Sequence, residues 1–189
     1  MEDEDGYFGE HVAAAYDGTS GVFAPGAVEA TAEVLAELAC GGRALELGIG
    51  TGRVFNTIMN LTSQDAQVAC FGNAAAHLEP GGCFVIECRV PELRRLPPGQ
   101  DVLPWNLSPE RWVSYSYDTA TQAMNGHYAE FTGGRGEYST MPFRYVWPAE
   151  LDLMAQLAGM RLRDRWEGWT RQPFTHESTR HVSTWRRAG

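Results

Sequence analysis

Arg43-Ala44-Leu45-Glu46-Leu47-Gly48-Ile49-Gly50-Thr51-Gly52-Arg53 is a short apolar run that breaks off into three alternating glycines. Ala44 to Leu47 read as a buried strand of a parallel sheet, and the glycines let the main chain turn sharply and approach a ligand with no Cβ in the way. A dinucleotide fingerprint, G-x-G-x-x-G, would carry its third glycine at Arg53; the spacing here is G-x-G-x-G, with Glu46 two residues ahead of the first glycine. That departure argues against NAD. Further on, His77-Leu78-Glu79-Pro80-Gly81-Gly82-Cys83-Phe84-Val85-Ile86-Glu87 stops a helix at Pro-Gly-Gly and starts a strand at once.

Together these stretches resemble the class I S-adenosylmethionine-dependent methyltransferases. E-x-G-x-G-x-G is similar to that family's first motif, and L-x-P-G-G with its apolar run looks like the lead-in to its fifth strand. Phe143 to Gly159, then Arg161 to Trp169 and His181 to Trp185, looks like its last helix and closing hairpin. The resemblance implies an α/β fold in a single domain: a Rossmann-like methyltransferase sheet, an antiparallel insert before the last helix, and a closing hairpin. Residues 1–42 would be N-terminal helices and 43–90 the remnant of a cofactor-binding core. Residues 91–147 would be a loop and acceptor insert, and 148–189 the last helix and hairpin.

The family pattern is broken after Arg53. Val54 to Thr57 already look like the tail of the fourth strand, so about two βαβ units, on the order of 60 residues, have no counterpart. The sheet is therefore expected to be incomplete, lacking what lies between the first and fourth strands. Either a stretch is absent from this sequence or the protein is internally shortened.

With 189 residues, 43% of them hydrophobic and 11% aromatic, the chain is that of a globular domain. All 15 basic residues are arginines, which excludes a phosphate-loop lysine and Schiff-base chemistry. A net charge of -9 repels a phosphate backbone and favours a small-molecule partner over nucleic acid. Cys40, Cys70, Cys83 and Cys88 lack C-x-x-C spacing and read as buried and reduced. No apolar run approaches the roughly 20 residues that span a bilayer, and the acidic start is unlike a signal peptide, so the expected location is cytoplasmic with no membrane partner.

Pro25 opens a helix over 26–39 whose apolar stripe is expected at Val28, Ala32, Leu35 and Leu38 or Ala39. Thr62 to Asp65 supply an N-cap, and Val68, Phe71, Ala75 and Leu78 recur at helical spacing. Prolines at 91, 97, 98, 104 and 109 predict a loop carrying Trp105. Trp112 to Asp118, Gly126 to Phe131 and Gly136 to Met141 alternate as strands. Pro148 then starts a helix with Leu151, Met154, Ala155 and Ala158 inward, and Trp166 and Trp185 are expected in the core.

The resemblance implies S-adenosylmethionine as cofactor, held by Glu46, Gly48, Gly50 and Gly52 with support from Tyr16, Phe55 and Asn56. The insert would shape an acceptor pocket with Tyr115, Tyr117 and Tyr128. His127 is the first choice for a general base. The acidic residue that holds the ribose in the family has no match here. His176 and His181 have no third ligand, and no metal is expected. The function implied is methyl transfer to a small molecule by in-line displacement. The alternative is an internally shortened, non-catalytic relative that acts by pairing as a homodimer or with another partner.

Overall fold

The computed structural model describes residues 25–42 and 56–189. Helix α1 (Pro25–Ala39) begins at the proline and ends ahead of Gly41, whose φ of 76° only glycine adopts at little cost. Its most covered residue is Val34; of the expected stripe Leu38 and Ala39 are half-buried, Ala32 and Leu35 are exposed, and the Val28 side chain lies outside the described residues. Ser63 caps α2 (Gln64–His77) by accepting the Ala66 N–H at 3.2 Å. The chain turns at Gly81, with φ 85°, and enters β1 (Cys83–Arg89).

Next comes a four-stranded antiparallel ribbon in sequence order: β2 (Val102–Leu107), β3 (Arg111–Tyr117), β4 (Ala123–Thr132) and β5 (Arg135–Arg144). β2 replaces part of the expected proline-rich loop. It is an edge strand, where the N–H that Pro104 lacks costs least, and its register shifts between Pro104 and Asn106 so that Trp105 sits in a bulge. Helix α3 (Pro148–Leu157) follows, then β6 (Met160–Trp166) and β7 (Arg180–Arg187). β7 lies between β1 and β6 and is antiparallel to both, which completes a three-stranded sheet. The α/β architecture is as expected, with the glycine-bearing first strand outside the described residues.

One side of this sheet carries the core. Phe71 of α2 meets Phe84 and Trp185 edge-on at 5.1 and 5.3 Å, and Leu151, Met154 and Ala155 of α3 are buried beside them. Trp185 is fully buried; Trp166, expected with it, is only half-buried, its indole lying under the Arg171 guanidinium at 5.0 Å. Of the cysteines only Cys88 is buried, and Cys40 is exposed, but all are free thiols. Val54 and Phe55 lie outside the described residues. Asn56 is left-handed and 57–60 form a 3-10 turn, so the expected fourth-strand tail is already over at Asn56.

Charged groups fix the ribbon to the helices. Arg144, at the end of β5 and 4% exposed, donates to Gln67 Oε1 of α2, to Gln122 Oε1 at 3.0 Å and to Glu150 Oε1 of α3 at 2.7 Å. Burial raises the Glu150 pKa, but hydrogen bonds from Gln122, Arg144 and Gln64 outweigh it and hold the carboxyl below its ordinary value. A second cluster joins Arg165 of β6 to Asp152 of α3 at 2.7 Å, with the Trp185 indole donating to the same carboxylate at 2.8 Å.

Replacing Arg144 by Met strands Glu150 and both glutamines, and is expected to cost about 3–5 kcal/mol in urea unfolding. Adding Glu150→Gln removes the orphaned charge and should recover part of the loss. His181 gives a pH test: its ring is buried, Nδ1 is within 2.8 Å of Ser183 Oγ, and Nε2 has no partner among the described residues. Burial, then the Arg165 charge, lower its pKa from 6.5 to about 4, with Asp152 opposing. The unfolded chain therefore takes up a proton that the folded one refuses. Stability is full above pH 6.5 and falls as the pH drops toward 4, a slope that His181→Leu should flatten in unfolding measured across that range.

Candidate functional site

Asn56 lies against the carboxyl end of β1. Asn56 has φ 57°, a conformation asparagine tolerates better than most residues. Its N–H donates to the Glu87 carbonyl at 3.2 Å, its Oδ1 accepts the Arg89 N–H at 2.7 Å, and its own carbonyl accepts the Met59 N–H at 2.8 Å. Beyond it a cleft opens between β1 and the ribbon. Asn56, Met59 and Arg89 to Glu92 line one side; Trp105, Tyr115, Tyr117, Met124, Phe143 and Tyr145 line the other.

The ribbon wall follows from strand alternation. Tyr115 and Tyr117 share a face of β3, Met124 lies opposite Tyr117 and also opposite Phe143, and Tyr115 faces Gly126. The rings then pack edge-on: Trp105 on Tyr115 at 6.0 Å, Tyr117 on Tyr145 at 5.8 Å. Arg89 lies over the Trp105 ring at 4.2 Å and so joins β1 to the ribbon's edge strand. Burial first, then the nearby Glu92 carboxylate, push the Tyr117 pKa up to about 12. Burial likewise raises Tyr128, which is hydrogen-bonded to Tyr115. Both phenols are protonated at neutral pH and able to donate. Glu92 is 9% exposed and is ion-paired with Arg95.

Tyr115, Tyr117 and Asn56 are thus brought together at one cleft, and Tyr128 stands behind Tyr115. His127 is not with them. It alternates to the opposite face of β4, where Nε2 is 2.9 Å from Ser116 Oγ and Nδ1 is 2.8 Å from Tyr138 Oη. The period of two that places Tyr128 toward the cleft turns its neighbour away, so the geometry does not support His127 as the base. Tyr16, Glu46, Gly48, Gly50, Gly52 and Phe55 lie outside the described residues. Sequence reasoning missed Arg89, Glu92 and Trp105. The first two had a readable signal, charges just past the end of an apolar strand; Trp105 was hidden in a segment assigned to a loop.

No family model matches the chain, and no curated protein matches it. Among solved structures, the CcbJ methyltransferase from Streptomyces caelestis is similar with 34% identity and a TM-score of 0.63, over 76% of this chain and 61% of that one. This chain therefore spans less than two thirds of that relative's length. An S-adenosylmethionine-dependent methyltransferase from Clostridium acetobutylicum ATCC 824 is similar in fold, with 11% identity and a TM-score of 0.55, over 84% of this chain and 70% of that one.

The tyrosine wall leaves no room at Gly126, where an added Cβ would lie 2.7 Å from Tyr128 Oη. Gly126→Ala should push Tyr128 off Tyr115 and destabilise the protein by about 1–3 kcal/mol in urea unfolding. Adding Tyr128→Phe, which removes the clashing oxygen, should relieve part of that loss.

Proposed function

We propose that this chain, which belongs to the class I S-adenosylmethionine-dependent methyltransferase family, transfers a methyl group from S-adenosylmethionine to a small-molecule acceptor seated in the cleft. The observation that carries the reading is the cleft itself: tyrosines of the ribbon face the carboxyl end of β1, in a chain 34% identical over 76% of its length to a methyltransferase. The faces of the tyrosine rings on the wall suit the positive charge of a sulfonium. When bound, S-adenosylmethionine supplies a methyl group on a leaving group that is already positive, and the protein's share is alignment and exclusion of water.

In this proposal Glu46, Gly48, Gly50 and Gly52 hold the cofactor, with Tyr16, Phe55 and Asn56 beside them. Chain continuity supports the place of Phe55 alone, since it is bonded to Asn56, whose N–H meets Glu87 at the carboxyl end of β1. Tyr115 and Tyr117 orient the acceptor by donated hydrogen bonds, and Tyr128 braces Tyr115. His127 faces away, and among the described residues the carboxylate on the cleft wall is Glu92, which is engaged by Arg95. The charge of -9 supports a small acceptor over nucleic acid. Among the described residues no helix is long and apolar enough to cross a membrane, and a cytoplasmic location belongs to the same proposal.

Calorimetry with S-adenosylmethionine tests the reading: the protein should bind it, and Gly50→Val should abolish binding by placing a branched side chain at the glycine turn. The spacing after Arg53 favours one other reading, a shortened relative that acts by self-association. It is identified by absence of binding together with a melting temperature that rises with protein concentration.

A further inference from the structure

In a parallel pair of strands, a residue gives its N–H to the carbonyl just before its partner and takes the N–H just after it on its own main-chain carbonyl. Asn56 does the first with its main chain, donating to Glu87 at 3.2 Å. It does the second with its side chain, Oδ1 accepting from Arg89 at 2.7 Å, as though paired with Cys88. The substitution has a consequence. The main-chain carbonyl, no longer needed for pairing, accepts the Met59 N–H at 2.8 Å and starts the 3-10 turn that buries Met59 at the cleft floor. A main-chain pairing would have carried the chain onward along β1, away from that turn.

We infer that Asn56 is a positioning residue for the cleft: its side-chain carbonyl stands in for a strand carbonyl on β1 and so sets both Met59 and Arg89 in place. Arg89 is held by its own N–H, one bond from the Cα whose side chain lies over Trp105 at 4.2 Å, and Trp105 meets Tyr115. One oxygen therefore links the carboxyl end of β1 to the acceptor wall. The link to cofactor binding rests on the methyltransferase reading, whereas the link to Trp105 does not.

The test is a set of Asn56 variants with two readouts: S-adenosylmethionine affinity by calorimetry, and Trp105 emission, taken as the difference between each variant and the same variant carrying Trp105→Phe. Asn56→Ala should red-shift Trp105 and weaken S-adenosylmethionine binding about tenfold, the effect of one lost hydrogen bond to a main-chain N–H at a half-buried corner. Asn56→Asp keeps an acceptor oxygen and should restore both. Asn56→Gly keeps the left-handed conformation without the oxygen and should fail like Ala, which separates the bond from the backbone and covers an Ala variant that does not fold. Wild-type emission in the Ala and Gly variants, or an Asp variant as impaired as Ala, overturns the inference. If the wild-type protein binds no S-adenosylmethionine, the cofactor reading fails, and the Trp105 readout alone decides the role of Asn56.

Discussion

A single buried guanidinium determines how the two sheets face each other. Arg144 ends the last strand of the ribbon, and its donors are shared among a side chain of α2, one at the β3–β4 turn and one at the start of α3. Gln67 answers by donating to the carbonyls of Ile58 and of Arg144 itself, at 3.1 and 3.2 Å. Gln122 donates to the Tyr145 carbonyl and to Glu150. Every strong donor at this junction is matched by an acceptor from a different element. A charge taken out of water is tolerable under that condition and costly otherwise. An apolar junction of equal volume would let the ribbon slide, since dispersion contacts carry no direction; hydrogen bonds fix an angle as well as a distance.

That angle is what makes a cleft possible. β3 and β4 send Tyr115, Tyr117 and Met124 to one side because strand side chains alternate, and the Arg144 cluster turns that side toward the end of β1. The far side, with Trp112 54% exposed and Tyr138 67% exposed, faces solvent. The same alternation separates His127 from the tyrosines. A residue one step along a strand is close in sequence and on the wrong side of the sheet, and no electrostatic argument brings it back.

How much of this was legible in the sequence depended on the kind of signal. Phe71, Ala75, Leu151, Met154 and Ala155 declared themselves by helical spacing, and all are buried. The ribbon strands were legible from alternation and glycine turns. β2 was not, because Pro104 counts against a strand everywhere except on an edge, and edge position is a tertiary fact. Trp166 and Trp185 look alike in sequence, yet only the second lies in the central strand of its sheet. Polar core residues were the blind spot: Gln67 sits in an apolar stripe and is fully buried, which no periodicity indicates. At the site, residue types suggested the tyrosines. Arg89 and Glu92 were readable as charges at the end of an apolar run, but that they meet the tyrosines from another element required coordinates.

The described residues of the acceptor side are tied to one another at several points. Ribbon, α2, α3 and the three-stranded sheet are tied by the Arg144 cluster, by Arg165 bridging α3 to β6, and by the Phe71, Phe84 and Trp185 rings. Among the described residues, the edge of β1 away from β7 has no strand beside it. Among the described residues that edge is met by Asn56, at its carboxyl end. An unpaired edge is a demand for a partner, since main-chain N–H and C=O groups withdrawn from water must be satisfied. The demand is strongest where the neighbouring side chains are most covered, beside Ile86 and the fully buried Cys88. Asn56 answers at that place, because a side-chain amide can present its carbonyl where a strand would present its own.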